Sequence, residues 1–459
     1  MTETRRIAVL DIGKTNAKVL VLDCATGEEL DVRRRSNKVV PGEPYPHYDI
    51  DALWHFFCET LAQFSAAPGF DAISITTHGA SGVLLDEAGG LAMPVLDYEY
   101  EYSEEIRAAY ATLRPSFSET FSPALSGGLN LGAQIHFQKT AFPAEFAKVR
   151  TILTYPQYWA YRLTGVAANE ATSLGCHTDL WQPGQGAFSS LVDRLGIRDK
   201  MAPVRSAFDA LGPVRPTLAA ELGLQKPVPV YCGIHDSNAS LLPHLVGREA
   251  PFAVVSTGTW VINFAVGGDL QHLDPARDAL ANVDAYGRAV PSSRFMGGRE
   301  FELLTAELGP YPADAVREAL PDVIQSRLML LPNVAEGSGP FPGRKRRWVN
   351  ADGQGEIKRW AAAILYLALM TEACLDLIGA DGPVLVEGPF AANAAYLAVL
   401  QAVLGRSVIG LSGSTGTSQG AALLAGIRLL PATSKPAEVW ALEGLAAYRT
   451  AWKTAVQES

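Results

Sequence analysis

A carboxylate at the end of a strand, just ahead of a helix, is well placed to take a proton from a hydroxyl nucleophile. In this chain Asp236 stands there: the strand-like run Val228–Cys232 leads into Gly233-Ile234-His235-Asp236, and small residues follow at Asn238-Ala239-Ser240. The structural alternative is a helix N-cap, a common place for Asp. A second carboxylate, Asp11, ends the apolar run Ile7–Leu10 and opens the turn Asp11-Ile12-Gly13-Lys14-Thr15-Asn16. Gly13-Lys14-Thr15 resembles the end of a Walker loop, but that loop needs a glycine where Ala8 stands inside the strand. The turn has its own equipment. Asp11 could hold Mg²⁺ through a water, while Lys14, Thr15 and the turn N–H groups contact phosphate oxygens. The alternative is an ordinary hairpin with a solvated lysine.

Ser256-Thr257-Gly258-Thr259-Trp260 offers hydroxyls and N–H groups to a polyphosphate without a carboxylate. Thr76-Thr77-His78-Gly79-Ala80-Ser81-Gly82 sets a histidine in a Gly-rich loop, where it can donate to a sugar hydroxyl or carbonyl, or serve structure alone. Asp97-Tyr98-Glu99-Tyr100-Glu101-Tyr102 mixes acids that accept O–H bonds with rings that stack on C–H faces; an amphipathic helix start reads the same way. Glu387-Gly388-Pro389-Phe390-Ala391-Ala392-Asn393 runs from strand to turn to helix, and Gly413–Ala422 is again rich in small residues. Such residues let an adenine or ribose approach backbone, or let helices pack closely. Arg344–Arg347 reads as a solvated charge run.

The elements that position these residues alternate between strand and helix. Phe252–Val255 and Val261–Val266 flank the second turn as Ile7–Leu10 and Ala17–Asp23 flank the first, and each set reads as a hairpin. The hairpins begin about 245 residues apart, close to half the chain, which is the spacing of a duplicated architecture. Asp51–Phe64, Lys358–Ile378, Asn393–Leu404 and Ser418–Leu429 read as helices. Ala72–Thr76, Val83–Asp86 and Pro383–Val386 read as strands, and Pro332–Pro342 as a long surface loop. The class is α/β with antiparallel hairpins mixed into each sheet, and a domain boundary is expected near Pro243–Pro251.

Composition bounds the partners. The chain has 459 residues, 48% hydrophobic and 19% charged, which excludes wholesale disorder and predicts two large domains. A net charge of −10 argues against nucleic acid and anionic membranes as partners. Five widely separated cysteines fit reduced thiols. The apolar stretch Trp360–Met370 falls short of the ~20 residues of a membrane span. The expected location is cytoplasmic.

Taken in order, these motifs resemble the FGGY family of carbohydrate kinases, within the actin-like ATPase superfamily. Asp11–Asn16, Thr77-His78-Gly79, Gly233–Asp236, Ser256–Thr259 and Gly420-Ala421-Ala422 carry the resemblance, which spans the chain from Ile7 to about Leu429. It implies two ribonuclease-H-like domains with mixed sheets flanked by helices, closing on a cleft. Residues 1–245 would form the sugar-binding domain and 246–459 the nucleotide-binding domain, with ATP and Mg²⁺ as cofactors. Asp236 matches the general base and Asp11 the carboxylate near Mg²⁺. Gly13, Lys14, Thr15 and Ser256, Thr257, Gly258, Thr259 match the phosphate-contacting turns, and Gly388 and Asn393 fall in the adenosine motif. His78 and Gly79 fall in a sugar-contacting loop, with Asp97, Tyr98, Glu99 and His235 as further sugar contacts. The family also includes homodimers.

Two departures matter. Glu387-Gly388-Pro389-Phe390 stands where members commonly carry Gly-Gly-Gly or Gly-Gly-Ala, which bears on the nucleotide contacts and on strictness for ATP. The 97–102 loop lacks the Trp-x-Asp-x-Arg pattern of xylulose and glycerol kinases, and Gly-x-His-Asp is closer to rhamnulose and fuculose kinases. A ketose, with a deoxyketose favoured, is the expected acceptor; xylulose, ribulose, glycerol or erythritol are the alternatives. An actin-like chaperone would need a peptide-binding domain for which no residues are left over. A filament protein, or a non-catalytic sugar-binding regulator, shares the core, but the retained Asp11, Asp236 and both turns argue for catalysis.

Overall fold

The computed structural model describes residues 5–412, 416–427 and 433–458. They form two compact units, each discontinuous in sequence. The first comprises residues up to 247 with 281–289 and 415–431; the second comprises 248–280, 290–414 and the C-terminal segment from 432.

In the first unit, the strands Arg6–Ile12 and Asn16–Asp23 pair antiparallel around the expected turn. Their aliphatic residues are buried on both faces, as a central strand requires. Ala72–Thr77 lies parallel to the first strand, with Asp11 opposite Thr76 and Ile12 opposite Thr77. The short strand Ile234–His235 pairs with the same end, Ile234 opposite Thr76 and His235 opposite Thr77. This register brings Asp11, His78 and Asp236 to the carboxyl ends of neighbouring parallel strands, the edge where open α/β sheets bind ligands. The helix Ile50–Ala66 covers one face, burying Leu53, Phe57, Leu61 and Phe64 at helical spacing, with Asp49 as its N-cap.

Late in the sequence, the helix Thr417–Leu423 returns to this unit. Ser74 Oγ donates to the Ala421 carbonyl at 2.6 Å, and Gly420 lies so close to the Ala239 carbonyl that an added Cβ would sit 1.7 Å from its oxygen. The helix is shorter than the expected Ser418–Leu429. The chain turns after Leu423 and Gly426 takes φ +83°, a conformation that glycine accepts at low cost; Leu429 lies outside the described residues.

The second unit repeats the hairpin plan. Phe252–Thr257 and Val261–Val266 pair antiparallel, and Val384–Glu387 lies parallel to the first of them, with Ser256 opposite Glu387. Val408–Ser412 extends the sheet in parallel. The helix Glu356–Leu377 forms the centre of the core. It runs straight through Thr371-Glu372, so it is long and apolar enough by composition to cross a membrane, contrary to the apolar-run estimate; 94% of its apolar window is nevertheless buried in this unit. The 332–342 segment is not the surface loop expected. Asn333, Ala335 and Ser338 are buried, and the Ala335 N–H donates to the buried Glu300 carboxylate at 3.1 Å, as does the Tyr366 hydroxyl at 2.9 Å. Arg347 opens a short strand, and Arg346 pairs with Glu307 rather than with solvent alone.

Candidate active site

Asp236 is the first residue of the helix Asp236–Leu245, and the N-cap position belongs to His235. The capping alternative therefore does not account for it. Its side chain keeps 32% of its surface open, enough for an acceptor hydroxyl to reach it. The packing around the remainder raises its pKa to about 6; the charge of Asp11 adds to this, while the Ser237 N–H at 2.6 Å opposes it. A carboxylate so tuned is ionised at neutral pH and yet basic enough to receive a proton.

His78 lies beside it, buried among Tyr48, Tyr98 and Tyr155, with ring centroids 5.2, 5.6 and 5.0 Å away. Its Nδ1 lies 2.8 Å from the Gly79 carbonyl, which can only accept, so the proton sits on Nδ1. Burial lowers the pKa to about 4 and keeps the ring neutral. Nε2 then carries a lone pair, and it is a buried atom without a partner among the described residues, as is the nearby Tyr48 hydroxyl. His78 thus presents an acceptor, which reverses the expectation that it donates. Gly79 has a packing reason: a Cβ there would sit 2.6 Å from His235 Nε2. His235 is itself neutral, its pKa lowered to about 4 by burial, and its ring lies 3.2 Å from the Asp236 carboxylate.

Asp11 is buried, and its Oδ2 accepts from the hydroxyls of Thr417 and Ser418, both at 2.5 Å, with Lys18 at 3.3 Å. Thr417 and Ser418 escape a motif reading because their carboxylate partner lies up to 407 residues away; Lys18 stands across from Asp11 in the hairpin. The Gly13–Thr15 turn is braced by Asn37, whose side chain donates to the Gly13 carbonyl at 2.9 Å and whose N–H donates to the Thr15 carbonyl at 2.8 Å. Lys14 does not extend freely from it. Its ammonium pairs with Asp97, lies 3.5 Å from Glu99 and sits 4.3 Å from the Tyr98 ring centroid. The structure thereby joins the lysine expected on phosphate to the three residues expected around the sugar. The 97–102 segment is a loop and the helix begins only at Glu104, which removes the amphipathic-helix alternative.

In the second unit, Thr257 links the turn to the 387–393 segment: its hydroxyl donates to the Glu387 carbonyl at 2.5 Å and accepts the Phe390 N–H at 3.0 Å. Gly388 takes φ +78°, and a Cβ there would sit 1.9 Å from the Thr257 carbonyl oxygen. The tip, Gly258-Thr259, is exposed, but Gly298 packs closely against it, a Cβ there meeting the Gly258 carbonyl at 1.9 Å, and the Arg299 N–H reaches the Thr259 carbonyl at 3.2 Å. Gly297-Gly298, a glycine pair between a strand and a helix, is the signal that points to this contact. Ser256 stands opposite Ile262 in the hairpin. Asn393 caps the helix Ala394–Leu404, accepting from the Tyr396 N–H at 3.0 Å and the Tyr311 hydroxyl at 3.1 Å. Beside it, Ala391, Ala392, Gly410 and Ser412 help line a cavity of about 220 Å³. Gly413, Ser414 and Thr415 lie outside the described residues.

Among the described residues no cluster of three His, Cys, Asp or Glu side chains could hold a metal by itself. Mg²⁺ rarely needs one, since it keeps most of its waters and binds through one or two carboxylates together with substrate phosphates. Asp11 and its hydroxyl partners fit that limited role.

The described chain matches the model of the FGGY family of carbohydrate kinases, N-terminal domain, over residues 6–243, and that of carbohydrate kinase FGGY, C-terminal domain, over 249–434. A crystal structure of a carbohydrate kinase from Novosphingobium aromaticivorans shares 35% identity, covers 100% of this chain and 99% of its own, and superposes with a TM-score of 0.92. L-fuculokinase of Salmonella typhi is 24% identical over 265 residues, 56% of this chain and 55% of its own. Rhamnulokinase of Halalkalibacterium halodurans is 23% identical over 272 residues, 55% and 54% respectively. The alignments thus span about half the length of these curated relatives. With both domain models matched, the chain belongs to the FGGY family of carbohydrate kinases.

Proposed function

We propose that the protein transfers the γ-phosphate of ATP to a hydroxyl of a ketose, with a deoxyketose of the fuculose or rhamnulose type favoured. The observation that carries this reading is the pair formed by Asp236, open and only weakly acidic, and the unpartnered Nε2 of His78 beside it. Two neighbouring acceptors of O–H bonds suit a polyol or ketose. Asp236 takes the proton of the attacking hydroxyl, and His78 accepts a second hydroxyl to hold the sugar in line. Lys14 and Asp97, already paired, offer a donor and an acceptor to the remaining hydroxyls, with the Tyr98 ring beside them. Residues 1–245 act as the sugar-binding part and 246–459 as the nucleotide-binding part. There Gly258, Thr259 and the Gly388 turn present backbone to the nucleotide. Asp11 would hold the water shell of a nucleotide-borne Mg²⁺, whose chemistry when bound would be to neutralise phosphoryl charge. The preference for a deoxyketose rests on the Gly-x-His-Asp turn and on the names of the two curated relatives.

A coupled ADP-release assay over L-fuculose, L-rhamnulose, xylulose, ribulose, glycerol and erythritol, with a no-sugar control, tests this. The expected result is turnover that depends on sugar and is highest with a deoxyketose; turnover indifferent to sugar overturns it. Asp236→Asn should lower turnover by at least about a thousandfold while ATP binding, read by calorimetry, stays near normal. Substantial residual phosphorylation removes Asp236 from the base role.

A further inference from the structure

The segment that delivers Asp236 is held from outside by two buried side chains. Gln157 Nε2 donates to the carbonyls of Cys232 at 3.0 Å and Gly233 at 3.1 Å. The Thr154 hydroxyl donates to the other end of the same amide at 2.5 Å, which fixes its orientation. Two residues further on, the His235 N–H donates to Thr172 Oγ1 at 3.0 Å. That N–H belongs to His235, the N-cap residue of the Asp236–Leu245 helix and the residue immediately before Asp236. Thr172 is in turn held by Glu170, which accepts its hydroxyl at 2.5 Å and its N–H at 2.8 Å, and the Ser173 N–H at 3.2 Å.

Glu170 is fully buried and makes no ion pair among the described residues, an expensive state for a carboxylate. Capping the four-residue helix Ala171–Leu174 does not call for a charge, since Ser, Thr or Asn would cap it as well. A carboxylate does one thing more. Burial raises the Glu170 pKa to about 7 while the Thr172 and Ser173 donors pull it down; in the ionised form, which prevails above that pH, the carboxylate only accepts, so the Thr172 hydroxyl donates toward it and its oxygen lone pairs are left for the His235 N–H. With Glu170 ionised, the direction of every hydrogen bond from it to the Asp236 segment is thereby set.

We infer that Thr172, oriented by Glu170, is a positioning residue that fixes the backbone ahead of Asp236 and so aims its carboxylate at the acceptor hydroxyl. This rests on the reading of Asp236 as the base. Glu170, Thr172 and Gln157 are fully buried, so their removal affects the geometry of proton transfer more than binding.

The test compares Thr172→Val, which keeps the shape and removes the hydroxyl, with Thr172→Ser, which keeps the hydroxyl. The acceptor is the most active one in the sugar panel. Thr172→Val should lower kcat by roughly 10- to 100-fold, the scale at which sub-ångström misplacement acts, with KM for acceptor and ATP changed less than about threefold. Hydrogen exchange in the 232–238 peptide should quicken in the same variant. Thr172→Ser should recover most of both losses. Thr172→Ala serves in place of Thr172→Val if the latter does not fold. Wild-type kcat in the folded valine or alanine variant overturns the inference, as does a serine variant equally impaired. An active Asp236→Asn enzyme overturns the base reading and the relay with it; a dead Asp236→Asn beside a fully active Thr172→Val overturns the relay alone.

Discussion

At the residue scale, burial gives one aspartate a use that its solvated counterparts lack. Asp236 has its pKa raised to about 6, and in the proposed base role it would act only when ionised. Lowering the pH through 6 protonates it, so kcat/KM should fall about tenfold per pH unit below that point and level off above it. A steady-state pH profile with the best acceptor checks this, and a flat profile down to pH 5 contradicts it. The placement of Asp11 and Asp236 is legible from sequence because one closes an aliphatic strand and the other follows the Gly-Ile-His turn after one; both lie at the carboxyl ends of neighbouring parallel strands. Glu170 is not, because Asn169-Glu170-Ala171-Thr172 reads as a polar loop. Its burial depends on Asn169-Glu170 pairing with Val204-Arg205, some 35 residues on. Lys14 is half legible: the turn that carries it is plain, but its partner Asp97 lies 83 residues away.

At the element scale, close backbone approaches decide where helices and turns can sit. Gly420→Ala would drive a methyl into the Ala239 carbonyl and push the Thr417–Leu423 helix off the helix that carries Asp236. The variant should lose about 1–3 kcal/mol of stability, read from denaturant titration, and a wild-type midpoint would show that the helices can move apart freely. Both hairpins are legible because each tight turn sits between two aliphatic runs, and the structure gives each a parallel strand on its outer side. The 332–342 segment is illegible for the opposite reason. Its Pro and Gly content signals irregular backbone, and irregular backbone usually lies in water, but here Glu300 and Tyr366 satisfy it from within.

At the scale of the whole molecule, each unit has its own core and its own buried acids. Glu300 in the second unit has its pKa raised by burial from 4.5 to about 7. A raised folded-state pKa stabilises the fold below the unfolded value, and that contribution is lost as pH rises from about 4.5 through 7. Glu300→Gln keeps an acceptor for Ala335 and Tyr366 without a charge to bury. Its melting temperature at pH 8 should therefore equal or exceed wild type, with a shallower pH dependence between 5 and 8. A variant as pH-sensitive as wild type contradicts this. Hydrogen exchange in the helix Glu356–Leu377 should follow the change, while the helix Ile50–Ala66 in the first unit should not.

The late helix Thr417–Leu423 has a consequence for how the protein is made. Asp11 finds its hydroxyl partners, and Ser74 its carbonyl, only on residues 417–421. During synthesis the ribosome releases the strands of the first unit some 350 to 400 residues before the piece that completes them, as the sequence separations of 347 and 407 record. The first unit therefore spends most of translation with Asp11 and the Ala72–Thr77 strand uncovered. It reaches its final form only after residues 417–421 have been made, so the edge that carries Asp11 is completed late.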